Sequence, residues 1–269
     1  FADASSTGAA SAQTITLTGD PSVIQHKVNT NFTPAEFISI VDPGNAFGAD
    51  YSALSDWQNA VKADLTLDTT LVFSYTTASG TIPDNTAVKG ETSGAIATTT
   101  HMTATSTSAQ IMLKNVIGTF QSGERVYIDG QPVDDYYVTL SNTGNSVIAI
   151  AKCRTTNGNA DTVAVTVTGW TTSAANYVKI WTDPTDPYGR HQGKWDDTKY
   201  RLEVTNDHGL TNVADYVRID GLQVKISIND GTSKFAMRGD DSTESYISNS
   251  IFRGTFSGAS AGVGLYLLQ

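Results

Sequence analysis

The chain has 269 residues, which is enough for one large β domain or for one domain that carries a small insertion. Charged residues make up 16% of it, and 17 basic against 27 acidic side chains give a formal net charge of −10. This balance argues against nucleic acid and anionic membranes as partners, because neutralising phosphates requires a dense basic stripe. No stretch approaches the roughly 20 apolar residues that span a bilayer, so we expect no membrane insertion.

The composition also favours β structure over helical bundles. Thr, Ser, Ala, Gly and Asn are plentiful, whereas the Glu-, Lys- and Leu-rich patterning of helices is scarce. Such a composition is typical of secreted or particle-associated proteins, and we therefore expect an extracellular or virion location. The one cysteine, Cys153, lies in an apolar run and has no disulfide partner in the chain. The favoured interpretation is a small buried hydrophobic side chain, and the alternative is a reactive thiol.

Residues 1–41 are predicted to form an N-terminal arm. The small, polar run at 2–12 has too little apolar surface to fold alone, but clean alternation follows at 13–19 and an apolar run at 37–41. We expect one or two strands in this arm. They would pair either within the domain or with a neighbouring subunit.

The segment 42–78 is predicted to hold a capping helix and a first strand. Residues 50–61 have the pattern of the one clear helix, which Asp50 or Ser52 could cap. Its apolar residues share one face at helical spacing: Leu54, Trp57 and Val61. A short amphipathic helix ahead of stacked coils would cover the open end of the first coil. Residues 71–75 then follow as the first strand of that stack.

Residues 79–130 are predicted to be an insertion. This stretch is rich in Thr, Ser and Ala and contains two hairpins bounded by glycines. It breaks the pattern on either side of it. We therefore expect a small β module that folds as a unit of its own.

A short alternating phrase recurs in the remaining segment, 131–269. It occurs at 176–181, 215–226 and 245–254, each time with a tyrosine at the entry and every second residue apolar. The tyrosines at 177, 216 and 246 are 39 and 30 residues apart, which suits one coil of a parallel solenoid with loops of variable length. The predicted fold class is therefore all-β, a right-handed parallel β-helix with an N-terminal capping helix and a small inserted β domain.

The densest polar segment, 182–201, lies between the first two of these strands. About 20 residues without periodicity are long for a plain connection, and such loops are usually functional or packed on themselves. Its candidate ligand-binding residues are Arg190, His191, Trp195 and Asp196. They could bind a sugar by stacking on the indole and by hydrogen bonds to hydroxyl groups, although a role in fastening the loop to the coils is the favoured alternative.

The sequence gives only weak indications of a metal site or of catalytic residues. Asp183 and Asp186 are the candidate metal ligands, for calcium alone, because hard oxygen ligands are abundant on this loop. The histidines lack the spacing of a zinc site, and we expect no other cofactor. No residue is assigned a catalytic role, since adjacent carboxylates on a strand point to opposite faces. The carboxylates considered for such a role are Asp183, Asp186, Asp196, Asp197, Asp240, Asp241 and Glu244.

Several phrases of the sequence resemble known proteins. The segments 42–44, 50–57, 181–184, 191–196 and 199–202 together resemble uncharacterised right-handed parallel β-helix proteins of phage and environmental origin, similar to tail fibres or tailspikes. That resemblance covers 42–70 and 147–269. Residues 90–124 separately resemble small β modules that are inserted in tailed-phage structural proteins. Both resemblances imply a fibre, spike or surface component, and neither brings a catalytic residue with it.

Three functional hypotheses follow. The leading one is a non-enzymatic structural or adhesive component of a virion fibre or extracellular filament, which associates with itself or with other structural subunits and contacts surface glycans. The second is a tailspike-like polysaccharide depolymerase, a hydrolase or lyase; a hydrolase would need carboxylates within about 5 to 10 Å of each other. The third is a carbohydrate-binding module, whose exposed aromatic platform would lie around Trp170, Trp181 or Trp195.

Overall fold

The structure, a computed structural model, describes residues 34–46, 48–104, 108–240, 244–258 and 261–267. The arm expected at 1–41 lies outside these residues except for its last segment. The described residues form an all-β fold with one short helix, as expected, and the strands make parallel sheets and one antiparallel barrel.

The elements follow one another in three groups. The first two are β1 (Ala35–Val41) and α1 (Leu54–Val61). The next six are β2 (Leu71–Ser79), β3 (Ala87–Gly90), β4 (Ile96–Met102), β5 (Gln110–Ile117), β6 (Arg125–Ile128) and β7 (Tyr137–Leu140). The remaining strands are β8 (Val147–Cys153), β9 (Val165–Val167), β10 (Val178–Trp181), β11 (Leu202–Thr205), β12 (Leu210–Asn212), β13 (Val217–Asp220), β14 (Gln223–Ile228), β15 (Ser233–Gly239), β16 (Ser245–Ser248), β17 (Ile251–Phe256) and β18 (Ala261–Leu267).

Three parallel sheets form what we call the parallel stack. Sheet 1 has the order β1-β8-β10-β13-β16, sheet 2 has β11-β14-β17, and sheet 3 has β9-β12-β15-β18. From β10 onward the chain passes through sheets 1, 2 and 3 in that order three times. Each pass lays a strand beside its predecessor in the same sheet, so every second side chain points into one shared core.

The tyrosine-led segments do stack in parallel. Val178 pairs with Val217, which places Tyr177 beside Tyr216 on the neighbouring strand. On the third strand the register is different, because Arg218 pairs with Tyr246. The repeated tyrosine is therefore offset by two residues in the third coil. A shift of two preserves the face to which each side chain points, so the core pattern survives it.

The antiparallel barrel closes in the order β2-β5-β4-β3-β6-β7 and lies between α1 and β8 in the chain. Our expectation for 71–75 was wrong: β2 pairs antiparallel with β5 and β7 and is a barrel strand, not the first strand of the stack. The first strand of the stack is β1, which pairs parallel with β8. The barrel also includes β7, beyond the segment expected as an insertion. Its interior is a separate apolar cluster that contains Phe73, Phe120 and Val138.

Helix α1 packs its apolar face on the core of the stack. Leu54, Trp57 and Val61 are all fully buried there, as the helical spacing predicts. The expected caps are wrong, because the N-terminal residue of the helix makes no side-chain capping bond. Instead the Leu54 amide donates 2.7 Å to the Asp161 carboxylate, which is 107 residues away in sequence. No helix in the described part of the chain is long and apolar enough to cross a membrane.

The barrel covers the outer edge of β1. The Gln110 side-chain oxygen accepts from the Ile38 amide at 3.3 Å, and its nitrogen donates 2.8 Å to the Glu36 carbonyl. The Asp50 carboxylate accepts from the Ile40 amide at 2.6 Å. These bonds satisfy backbone groups that an edge strand otherwise leaves open. Asp50 is thus part of the junction between barrel and stack rather than a helix cap.

His101 of β4 lies at the same junction between two carboxylates. Its Nδ1 lies 2.9 Å from Asp84 and its Nε2 lies 3.5 Å from Asp50. The ring of Tyr51 packs on the imidazole at 4.7 Å, and its hydroxyl donates 3.3 Å to Asp84. Burial by itself would lower the pKa of His101, but the hydrogen bonds and charges of Asp50 and Asp84 raise it overall. The protonated imidazole therefore binds the barrel to the stack more tightly than the neutral one.

Candidate functional site

The outer face of sheet 1 carries two columns of side chains that run across the coils. Strand alternation sends Val178 and Ile180 inward and leaves Lys179 and Trp181 outside. The register then places neighbouring outward residues directly beside each other. The first column is Ile150, Lys179, Arg218 and Tyr246, and the second is Lys152, Trp181, Asp220 and Ser248.

Aromatic rings and cations alternate on this face. The guanidinium of Arg218 lies 3.5 Å from the centre of the Tyr177 ring, and the ammonium of Lys179 lies 4.4 Å from that of Trp181. Tyr246 is 53% exposed, and the Arg218 guanidinium lies 5.8 Å from its ring centre. Contacts of this kind hold a long cationic side chain in one place and are worth about 0.5–1 kcal/mol at exposed sites.

These side chains enclose an open groove, which we call the sheet 1 groove. Its volume is about 480 Å³, and its lining residues are Tyr177, Lys179, Arg218, Ile219, Asp220, Tyr246 and Ser248. This volume falls within the roughly 300–1,000 Å³ that small-molecule sites occupy. The groove offers ring faces for stacking and charged groups for hydrogen bonds at one place.

Asp220 forms one wall of the sheet 1 groove and is held by several donors. Arg190 donates 2.6 Å to one carboxylate oxygen, and Ser248 and Asn249 donate at 3.0 and 2.8 Å to the other. Burial would raise the pKa of Asp220, but these bonds and the charge of Arg190 lower it overall. Gly221 makes room for Arg190, because an added Cβ would lie 2.4 Å from its Nε. Asp220 therefore remains ionised well below neutral pH.

The residues of the loop 182–201 that we expected to bind a ligand do not come together in one site. Arg190 donates to Asp220, which is one wall of the groove. His191 is buried, its Nδ1 accepts from the Gly193 amide at 3.1 Å, and burial lowers its pKa. Trp195 donates 2.7 Å to Asp197 and has Arg253 over its ring at 4.8 Å. The favoured alternative, a loop packed on the coils, agrees with these contacts.

Asp196 takes part in a turn rather than in a ligand cluster. Its side chain accepts from the amide and the hydroxyl of Thr198 at 2.9 and 2.7 Å, and these two bonds lower its pKa. Its own amide donates 2.7 Å to the buried Gln223 side chain. Asp196 therefore fastens the loop to sheet 2.

The candidate calcium ligands do not converge. Asp183 accepts from Lys152 at 2.9 Å and from Thr185, and although burial would raise its pKa these contacts lower it to about 2. Asp186 accepts from the Tyr188 amide at 2.9 Å in a turn of its own. Among the described residues, no group of three or more His, Cys, Asp or Glu side chains is placed to share a metal ion.

The other carboxylates that we considered are also engaged. Asp197 accepts from Trp195, Asp240 accepts from Arg238 at 2.8 Å, and Glu244 accepts from the Tyr246 hydroxyl. Asp241 lies outside the described residues. Cys153 is fully buried, as expected, and burial raises the pKa of its thiol.

Trp181 is the one predicted platform residue that faces the groove side of sheet 1. Trp170 is buried, donates 2.6 Å to Gln58, and packs against Trp57. Sequence reasoning missed Tyr177, Lys179 and Arg218 as binding residues, although the first two tyrosine-led phrases contain them. The signal was present: each of those phrases places a cation two residues after its tyrosine, at an outward position.

Comparison with family models, with curated proteins and with solved structures found no match to this chain. The functional argument therefore depends on the geometry of the sheet 1 groove.

Proposed function

We propose that the protein is a right-handed parallel β-helix that acts as a structural and adhesive component of an extracellular assembly, a virion fibre or filament, and contacts surface glycans. The observation that carries this proposal is the sheet 1 groove, which is lined by the exposed ring of Tyr246 and by the cations Lys179 and Arg218. Saccharides have apolar ring faces and hydroxyl edges. A site that combines aromatic faces with fixed polar groups suits both.

The stack supports an adhesive role because it holds the groove on regular strands. Lys179, Arg218 and Tyr246 come from three neighbouring strands whose inward residues are locked in the core. A site on packed strands keeps its side chains in a fixed arrangement better than a site on loops does. A linear glycan that crosses the coils would meet one new strand about every 4.8 Å.

Binding is favoured over hydrolysis by the charge state of the groove. A glycosidase requires one carboxyl group whose pKa is raised, so that it donates a proton, and a second carboxylate nearby. Asp220 is the only carboxylate among the lining residues, and its pKa is lowered. The proposal therefore assigns the protein no hydrolase activity.

Assembly with other subunits is part of the same proposal. Among the described residues, β16, β17 and β18 each have a partner strand on one side only. Exposed strand edges are places where another chain adds by backbone hydrogen bonding. Light scattering on the whole chain tests this part, with an oligomer as the expected result and a stable monomer as the result that contradicts it.

The test of adhesion is a glycan array probed with the labelled full chain. We expect binding to a restricted set of glycans, with affinity reduced about tenfold in Tyr246→Ala, which loses a stacking ring, and in Tyr177→Ala, which loses the ring that positions Arg218. Tyr136→Ala is the control, since this tyrosine is 47% exposed but lies in the barrel. No glycan binding by the wild type, or equal loss in the control, contradicts the proposal. Release of new reducing ends from a bound glycan would instead support the depolymerase alternative.

A further inference from the structure

Two cationic residues occupy neighbouring positions in the sheet 1 groove. Lys179 and Arg218 are register partners on adjacent parallel strands, which run about 4.8 Å apart. Like charges directly opposite each other on neighbouring strands destabilise a sheet. This register would therefore favour an opposite charge at one of the two positions.

Several other cations of the stack have that opposite charge. Lys152 pairs with Asp183, Arg190 with Asp220, and Arg238 with Asp240. Arg201 and Lys225 share Glu203. By contrast, neither Lys179 nor Arg218 has a carboxylate within 4.0 Å among the described residues. Two cations at neighbouring positions of one sheet thus lack a counter-charge among the described residues, although the chain has a net charge of −10.

The donors of both cations remain free. Arg218 lies with its guanidinium over the Tyr177 ring, and Lys179 with its ammonium over the Trp181 ring. Ring contacts hold the two groups in place but use none of their N–H bonds. In the described part of the chain, neither side chain donates a hydrogen bond to a protein acceptor. The groove thus presents two positioned and unsatisfied cationic donors.

We propose that the sheet 1 groove binds glycans that carry carboxylate groups, that is, chains of uronic acids. A sugar carboxylate would accept two parallel bonds from the planar fork of Arg218, and Lys179 supplies a second cationic donor in the same groove. The sugar ring would lie against the exposed ring of Tyr246. This inference rests on the proposed glycan-binding function and adds the class of sugar.

The decisive experiment compares charged and uncharged forms of the same sugars by calorimetry with the full chain. The probes are oligosaccharides of galacturonic, glucuronic and mannuronic acid, the methyl ester of each, and a sulfated glucan oligosaccharide. We expect at least one uronate to bind at least tenfold more tightly than its own ester, because the ester loses the charge-assisted bonds. Raising the salt concentration from about 0.05 to 0.5 M should weaken that binding, since these groups are partly exposed.

Variants then test which cations are responsible. Arg218→Gln and Lys179→Gln should each reduce uronate affinity about tenfold or more, and should reduce ester affinity by a smaller factor, so that the preference for uronate over ester falls. Arg218→Lys keeps the charge but loses the bidentate fork, so an intermediate loss is expected. Lys194→Gln is the charge-matched control, because this exposed lysine lies on the loop 182–201 outside the groove. Equal losses in Lys194→Gln and in the groove variants would show a net-charge effect and overturn the proposal.

The remaining outcomes separate this inference from the proposed function. If esters bind as tightly as uronates, acid selectivity is wrong but glycan binding stands. If no saccharide binds here or on the array, both fail. If the sulfated glucan binds more tightly than every uronate, the groove prefers sulfate to carboxylate and the proposal is overturned. If Arg218→Gln and Lys179→Gln change the oligomeric state and leave saccharide binding unaltered, the two cations serve a contact between copies of the chain, and the proposal is overturned.

Discussion

The parallel stack and the antiparallel barrel differ in their ion pairs and in their strand edges, although both form from the same polar, weakly charged sequence. In the stack, ion pairs follow the outer faces and edges of the coils, such as Lys225 with Glu203 and Lys152 with Asp183. Within the barrel the described residues form two, Arg125 with Asp134 and, when the imidazole is protonated, His101 with Asp84. The barrel closes on itself and leaves no open edge, whereas the stack has edges that must be covered or paired.

This difference shows where recognition can be placed. A barrel of this size fills its interior with side chains such as Phe73 and Phe120, which leaves no room for a ligand there. A stack exposes a flat outer face on which residues far apart in sequence become neighbours. Lys179, Arg218 and Tyr246 lie in one column of sheet 1 for this reason. The stack can therefore carry a binding surface without disturbing its own core.

The largest expected effects come from core truncations that test whether the two regions unfold separately. Trp57→Ala and Phe73→Ala each remove a fully buried ring, at a cost of about 3–5 kcal/mol in the free energy of unfolding. Hydrogen exchange should rise in the stack for the first variant and in the barrel for the second. If either variant raises exchange equally in both regions, they form one cooperative unit. All four tryptophans lie outside the barrel, so fluorescence gives an independent signal for the stack.

The next effect concerns the long-range cap of α1. Asp161→Ala removes the acceptor of the Leu54 amide, the Val163 amide and the Tyr200 hydroxyl, and should cost about 2–4 kcal/mol because buried donors are left unpaired. Asp161→Asn keeps one acceptor and should cost less. Asp56→Asn, an exposed change in the first helical turn, is the control and should cost at most about 1 kcal/mol. Denaturant unfolding measures all three, and equal losses for Asp161→Ala and Asp56→Asn contradict the capping role.

A smaller effect is expected at the junction between the two regions. The folded-state pKa of His101 is raised above about 6.5, so its stabilising contact with Asp50 and Asp84 is complete below that pH. The contribution is lost as the pH rises through the folded-state pKa. The stability difference between wild type and His101→Gln should therefore be greatest near pH 5.5 and shrink toward pH 8.5. A difference that grows with pH would show that the imidazole binds the junction in its neutral form.

The smallest effect distinguishes the surface ion pairs of the two regions. Asp183→Asn removes the carboxylate charge beside Lys152 and should cost about 0.5–1 kcal/mol, while Asp134→Asn, at a carboxylate that is 82% exposed, should cost less than about 0.5 kcal/mol. Because the pKa of Asp183 is about 2, its contribution should persist down to about pH 4 and disappear as the pH falls toward 2. The melting temperature with and without calcium gives a further check. A calcium-dependent rise that is lost in Asp183→Asn would restore the metal site that the sequence suggested.

Local pattern was sufficient for part of this structure. The alternation at 176–181, 215–226 and 245–254 predicted which residues face the core, because a period of two is a property of each strand by itself, and the recurrence of the phrase predicted that the strands stack in parallel. The same holds for the apolar face of α1 with Leu54 and Trp57. Composition was sufficient for the all-β class.

The sequence alone determined strands, faces and class, and the tertiary structure decided which of them meet. Residues 71–75 have the pattern of a buried strand in either a barrel or a stack, and only pairing with β5 and β7 placed them in the barrel. Asp161 reaches α1 across 107 residues, and Lys179 lies beside Arg218 only because the chain between them completes one coil in that register. Contacts between residues so far apart in sequence depend on where the connecting loops place the next strand. A search restricted to one loop therefore selected Arg190 and His191 and missed Lys179 and Arg218 in the sheet 1 groove.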